Sequence, residues 1–198
     1  MIASPPTLTV RAAVPADVPA LERLIVTSAR RLSRDHYDAA QTEAAVAHVF
    51  GVDSELVDDG TYLVAMLGDA IAGCGGWSRR RTLFGGDRFA DRVDGDSGGL
   101  LDPAIDAARI RAFFVAPDHA RRGIGRALLA GCEAAALAAG FRRLTLMATL
   151  PGEPFYRTAG YIADPVVAVT AGGITIPFVP MHKTCDPIAA SADHHQHI

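Results

Sequence analysis

The densest chemical signal in the chain is Arg121-Arg122-Gly123-Ile124-Gly125-Arg126-Ala127, set between a strand-like run and an Ala/Leu-rich helical run. These residues suit an anion. Glycine lets the backbone turn tightly and approach a ligand closely. The first N–H groups of the following helix have no intrahelical partners, and the helix dipole adds partial positive charge there. Arg121, Arg122 and Arg126 add full charges. Together they fit a phosphate or pyrophosphate. A dinucleotide fingerprint would place a third glycine three residues after Gly125, where Leu128 stands. A phosphate-binding P-loop needs Gly-Lys-Ser/Thr, and no lysine is present here. On these residues alone, a glycine-softened turn before a helix explains the pattern equally well.

Composition narrows the chemistry further. The sequence has 198 residues, 49% apolar and 21% charged, with net charge -3. That length gives one domain with ample core, and the balance excludes a globally disordered chain. The acidic balance disfavours nucleic acid as a partner. No apolar run reaches the roughly 18 residues of a membrane span, and the N-terminus lacks the pattern of a secretory signal. The expectation is a soluble cytoplasmic protein. Lys183 is the single lysine among 19 basic residues, which removes lysine-dependent Schiff-base or phosphate-loop chemistry. Cys74, Cys132 and Cys185 show no Cys-x-x-Cys spacing, so they read as ordinary thiols and no metal is expected.

The elements that must position the anion loop follow from periodicity. Leu8 to Arg11 reads as a strand. Asp17 caps a helix with apolar Val18, Leu21, Leu24 and Ile25. Asp38-Ala-Ala-Gln41 is a capping box opening a second helix through Val46 and Val49. Thr61 to Leu67 and Ile71 to Trp77 form a hairpin about Gly68-Asp69. Gly73, Gly75 and Gly76 inside the second of these strands point to a bulge or a close approach. Gly85 to Gly99 reads as a long surface loop, with Asp91, Asp94 and Asp96 solvated. Ala108 to Val115 is a strand, Pro117 to Arg122 a turn, and Gly123 to Ala139 a helix stopped by Gly140. Arg143 to Thr149 is a strand, and Pro151 to Ala159 allows a short helix. Val166 to Thr170 pairs with Ile174 to Val179 across Gly172-Gly173. The order β-α-α-β-β-β-α-β-α-β-β implies an α/β (α+β) fold with a mixed, mostly antiparallel central sheet flanked by helices on both faces. Residues 1–184 form the domain. Residues 185–198, with His194, His195 and His197, read as a polar tail.

The run from Ile110 to Tyr161 resembles the acetyl-CoA signature of the GNAT (GCN5-related) N-acetyltransferase superfamily. Its matching parts are Phe113-Phe114-Val115, Ala116-Pro117, Arg121-Arg122-Gly123-Ile124-Gly125-Arg126, the Leu/Ala helix, Gly140-Phe141, and Pro154-Phe155-Tyr156-Arg157 followed by Gly160-Tyr161. One departure is that the first position of the family's Gln/Arg-x-x-Gly-x-Gly/Ala pattern falls on Ala120, with Arg121 bringing charge one residue later.

The resemblance implies a GNAT-like acyl-CoA N-acyltransferase fold and acetyl-CoA as co-substrate. The backbone of Phe113 and Val115, with Phe114 between them, would pair with the pantetheine arm. The N–H of Val115 would polarise the thioester carbonyl. Arg121, Arg122, Gly123, Ile124, Gly125, Arg126 and Ala127 would cradle the pyrophosphate. The strand from Arg143 would splay from that of Phe113. Tyr156 would protonate the departing thiolate, while Phe155 and Tyr161 would pack. An amine attacking a thioester needs aimed donors, a placed acid and proximity, without metal or covalent enzyme intermediate. The acceptor is expected to be the primary amine of a small molecule, and a homodimer is implied by frequent dimers in the superfamily.

Readings of the acceptor side come from scattered residues. Asp35 and His36 are candidates for a general base, beside a water relay. Arg30, Arg31, Arg34 and Arg79 to Arg81 would favour an acceptor carrying carboxylate or phosphate, if they lie near it. Trp77 could wall the cleft or pack in the core. Cys74 could in principle be acylated, although direct transfer is the family's route. Two other functions fit the same residues: a CoA-binding regulatory module without catalysis, and transfer of longer acyl chains or transfer to oxygen.

Overall fold

The computed structural model describes residues 6–89 and 99–185. The elements in chain order are β1 (Leu8–Ala12), α1 (Val18–Leu32), α2 (Ala39–His48), α3 (Ser54–Asp58), β2 (Tyr62–Leu67), β3 (Ala70–Ser78), β4 (Ala108–Val115), α4 (Ile124–Ala138), β5 (Arg143–Thr149), α5 (Glu153–Thr158), β6 (Ile162–Ala163), β7 (Val167–Ala171) and β8 (Ile174–Thr184). The eight strands form one sheet in the order β1-β2-β3-β4-β5-β8-β6, with β7 also on β8. Every pairing is antiparallel except β4 with β5. Two elements exceed the sequence expectation. The single turn of α3 and the two-residue β6 are too short to show a period.

That one parallel pairing is short. It runs only from Ala108 with Leu144 to Ile110 with Leu146, and the two strands then diverge. The antiparallel neighbours on either side continue. β3 pairs with β4 as far as Val115, and β8 pairs with β5 as far as Thr149. A gap therefore opens in the middle of the sheet, bounded by the C-terminal halves of β4 and β5.

Helices cover both faces. The α1 and α2 side buries Leu21, Ile25, Ala45 and Val49 with Tyr62, Val64, Cys74 and Phe178. On the other side Leu129, Cys132 and Ala136 of α4 pack with Trp77, Phe141, Leu144 and Leu146. Trp77 is thus core, edge-on to Phe141 at 6.2 Å. The α2 capping box forms as expected: the Gln41 N–H donates to Asp38 Oδ1 at 2.7 Å and the Asp38 N–H to Gln41 Oε1 at 3.2 Å. The Asp17 cap does not. Its carboxylate instead takes the Val14 N–H and both Arg11 Nη atoms, closing a 3-10 turn ahead of α1.

The glycines of β3 admit close approach of side chains. A Cβ on Gly73 would lie 2.8 Å from Ile124 Cγ2, and one on Gly75 would lie 2.6 Å from the Phe113 ring. Absent side chains let the start of α4 settle onto β3 next to the gap.

The surface-loop expectation for 85–99 needs correction at its start. Phe89 is buried, its ring 4.9 Å from Phe84, and Gly86 and Asp87 donate backbone N–H groups to Val49 and Val52. Residues 90–98, with Asp91, Asp94 and Asp96, and the tail from 186, with its three histidines, lie outside the described residues. Among the described residues no helix is long and apolar enough to cross a membrane.

Candidate active site

A cavity of about 870 Å³ fills the gap between β4 and β5 and opens toward both helical layers. Its walls include Ile110 to Val115 of β4, Met147 to Thr149 of β5, the start of α4, the start of α5, and parts of α1 and the 84–86 segment.

The start of α4 supplies the anion end. Gly123 stands at the N-cap with φ 83, a conformation glycine adopts without steric cost, and no side chain caps the helix. Arg121, two residues earlier, also has positive φ, at 65. The reversals fold residues 121–123 into a concave backbone turn of the kind that collects N–H groups around an anion. Ala127 donates to the Gly123 carbonyl, so the N–H groups of Ile124, Gly125 and Arg126 precede the first intrahelical bond. Arg121, Arg122 and Arg126 are exposed, and none forms an ion pair among the described residues. Arg121, Gly123, Ile124, Gly125 and Arg126 line the cavity; Arg122 and Ala127 fall outside its lining.

β4 supplies the middle. The Ala116 N–H donates to the Ala72 carbonyl at 2.9 Å. Alternation along an antiparallel ladder then turns the N–H and C=O of Val115, opposite Gly73, away from β3 and into the gap. Phe114 opposes Cys74 and Arg111 opposes Gly76, so two residues of β4, Ala112 and Phe113, face Gly75 alone. This is a bulge, and Ala112 adopts φ 55 within it. It sends the Phe113 ring to the α4 side, edge-on to Tyr156 at 6.2 Å, and the Phe114 ring to the α1 side, edge-on to Phe50 at 5.4 Å.

Residues that the sequence did not single out hold the bulge. Arg111 is ion-paired with Asp53, and both are buried. The same guanidinium donates to the carbonyls of Gly85 at 2.9 Å and Thr82 at 3.3 Å. Tyr62, fully buried, lies behind Ala112. Tyr37, between α1 and α2, ties the end of β5 to β8: its hydroxyl donates to the Pro177 carbonyl at 2.7 Å and accepts the Leu150 N–H at 3.0 Å. No motif marks these residues, because each acts through a partner remote in sequence.

Tyr156 lines the cavity from α5, its ring set edge-on to Phe113, Phe155 and Tyr161. Burial pushes its hydroxyl well above the ordinary tyrosine range. It therefore keeps its proton at neutral pH. Phe155 lines the cavity too, while Tyr161 is core under Lys183.

Residues 91–185 match the family model of the acetyltransferase (GNAT) domain. That stretch belongs to the GNAT superfamily. No curated protein sequence matches it. Among solved structures, the chain is similar to the GCN5-related N-acetyltransferase of Rhodopseudomonas palustris, at 24% identity and TM-score 0.65, covering 93% of this chain and 98% of that one. It is also similar to the PaiA N-acetyltransferase of Thermoplasma acidophilum in complex with coenzyme A, at 14% identity and TM-score 0.60, covering 90% and 99%. A third is a GNAT family acetyltransferase of Brucella melitensis in complex with acetyl-CoA, at 16% identity and TM-score 0.54, covering 91% and 90%. These similarities establish the GNAT fold: a mixed, mostly antiparallel sheet between helical layers.

In this GNAT domain the acceptor-side residues fall out differently from the sequence expectation. Arg30 pairs with Glu43, Arg31 with Asp118, and Arg80 with Asp59, while Arg34 donates to the Arg30 carbonyl. None of these arginines, nor Arg79 or Arg81, lines the cavity. His36 does, whereas Asp35 does not. Cys74 is buried in β3 opposite Phe114, and burial pushes its thiol up to about 12.

Proposed function

We propose that this chain transfers an acetyl group from acetyl-CoA to the primary amine of a small molecule, by direct attack in a ternary complex. The observation that carries this reading is convergence on one cavity. The N–H groups at the start of α4, the inward-turned backbone of Val115 and the protonated Tyr156 all border it.

The residues fit acetyl-CoA. The N–H groups of Ile124, Gly125 and Arg126, with Arg121 and Arg126 beside them, would hold the pyrophosphate. The backbone of Phe113 and Val115 would pair with the pantetheine arm as an added strand does. When bound, acetyl-CoA supplies the activated acetyl group as a thioester. The Val115 N–H then donates to the carbonyl oxygen that gains negative charge. One such aimed donor is worth about 10²- to 10³-fold in rate. Tyr156 holds the proton needed by the leaving sulfur. His36, at the rim on the α1 side, takes the proton of the amine directly or through water.

A thiol-release assay with acetyl-CoA and longer acyl-CoAs, each with amine and alcohol acceptors, tests the reading. The expected result is release with acetyl-CoA and an amine, with mass spectrometry showing the acetylated amine. Preference for a long acyl chain or a hydroxyl acceptor would replace it with another acyl transfer. Binding without release for every acceptor would mean a non-catalytic CoA-binding module.

A further inference from the structure

The half of the cavity facing α1 and α2 differs chemically from the half at α4. Four phenylalanines line it: Phe50, Phe84, Phe114 and Phe178. They form a connected set, with Phe50 to Phe114 at 5.4 Å, Phe50 to Phe178 at 6.3 Å and Phe84 to Phe178 at 5.9 Å between ring centroids. The polar groups on this side are Ser28, Ser33, His36 and Arg111. Arg111 is already neutralised by Asp53. Among the described residues that line the cavity there is no aspartate or glutamate.

The wall carrying Phe84 is built in. Gly86 donates its N–H to the Val49 carbonyl at 2.9 Å, and a Cβ on Gly86 would lie 2.7 Å from the Gly51 carbonyl oxygen. The two backbones meet directly, and Arg111 fastens the same segment through the Gly85 carbonyl. Phe84 thus belongs to a fixed surface that packs against Phe178 along one wall of the pocket.

We propose that this half is an acceptor pocket for a small primary amine carried on an aromatic body. The amine's fate rests on the acyl-transfer reading above, but the pocket stands on its own lining. A polyamine would bring ammonium groups into an apolar space where no described lining residue offers a carboxylate to meet them, which is costly. An acidic amino acid would find its nearest guanidinium already paired, and the remaining arginines of this side lie outside the cavity. An aromatic ring gains from edge-to-face and tilted contacts of the kind that organise the four phenylalanines. Its amine, shedding a proton at His36 or to solvent, can reach the Ala112–Phe113 bulge without a buried charge.

The test is equilibrium binding of 2-phenylethylamine, spermidine and glutamate by calorimetry, with and without CoA, alongside acetyl-transfer assays with the same amines. Wild type should bind 2-phenylethylamine at least about tenfold more tightly than the other two. Phe84→Ala should weaken that binding about tenfold, and Phe84→Leu less, with CoA affinity unchanged in both. Equal or tighter binding of spermidine or glutamate would overturn the proposal. So would absent 2-phenylethylamine binding, or binding indifferent to both Phe84 variants. Binding of 2-phenylethylamine with no acetylation of any of the three amines would leave the pocket standing and count against acyl transfer. Acetylation of spermidine or glutamate in its place would refute the pocket and leave acyl transfer standing.

Discussion

The Tyr62 hydroxyl oxygen lies 3.3 Å from the carbonyl oxygen of Ala112 and 3.2 Å from Cys74 Sγ, all behind the bulge that shapes β4. A hydroxyl has one proton to give. Donation to Ala112 leaves the oxygen to accept from the Cys74 thiol, which burial keeps protonated. The chain of bonds holds a non-glycine residue at φ 55, which costs about 1–3 kcal/mol where it occurs. Tyr62 is therefore a positioning residue for the backbone of Phe113 and Val115.

Tyr62→Phe should lower kcat more than about fivefold while leaving the KM for acetyl-CoA near wild type. It should also cost about 1–3 kcal/mol of stability, because the Ala112 carbonyl loses its buried donor. Steady-state kinetics beside denaturant unfolding checks both. A stability loss with unchanged kcat would make the tyrosine purely structural.

Tyr156→Phe removes the proton proposed for the leaving sulfur and keeps the ring contacts with Phe113, Phe155 and Tyr161. Turnover should fall by about 10²- to 10⁴-fold, the range for a positioned acid. Because burial raises the Tyr156 hydroxyl, wild-type kcat should show no loss from this group up to pH 10. A pH–rate profile of both proteins checks the assignment.

Asp53→Ala leaves Arg111 charged and buried beside the bulge. Breaking a buried ion pair from one side costs about 3–5 kcal/mol. The double change Asp53→Leu with Arg111→Met should recover much of that loss and still lower kcat, since the carbonyls of Thr82 and Gly85 lose their anchor. Urea unfolding of the three proteins reads the first effect, and turnover the second.

Alkaline stability follows from the buried thiols and phenols. Burial raises the Cys74 thiol from its ordinary 9.0 to about 12, and also raises the thiol of Cys132 and the hydroxyl of Tyr62. As pH rises, the unfolded chain loses these protons first, so it binds fewer than the folded one. Their contribution is complete below about pH 9 and is lost as pH climbs toward 12. Melting temperature measured from pH 7 to 11 should be flat and then fall. Cys74 and Cys132 should resist iodoacetamide at pH 8 in the folded protein.

Local signals account for what the sequence showed well. β4 at Ala108–Val115 and β5 at Arg143–Thr149 have the expected bounds, because strand alternation and flanking turns are local. The same holds for α4, bracketed by Gly123 and Gly140, and for the capping box of Asp38 and Gln41. What escaped is held by long-range contacts. Nothing near Ala112 announces a positive φ, since the cause lies in Tyr62, Asp53 and Arg111. The arginines at 30, 31 and 80 suggested an acidic acceptor, but their partners Glu43, Asp118 and Asp59 come from other elements. Phe89 sat in a glycine-rich stretch that reads as a loop, with Phe84 just before it, and they pack because Gly86 lets that segment dock on Gly51.

On the proposed function, the start of α4 and its arginines hold the pyrophosphate of acetyl-CoA. The most direct measurement is calorimetric titration of acetyl-CoA into wild type and into an Arg121→Glu, Arg126→Glu double variant, at low and high salt. Wild type should bind at micromolar concentration and more weakly as salt rises, and the variant should bind at least about 100-fold more weakly with unchanged melting temperature. Absent binding to wild type, or equal binding by the two proteins, would contradict that function.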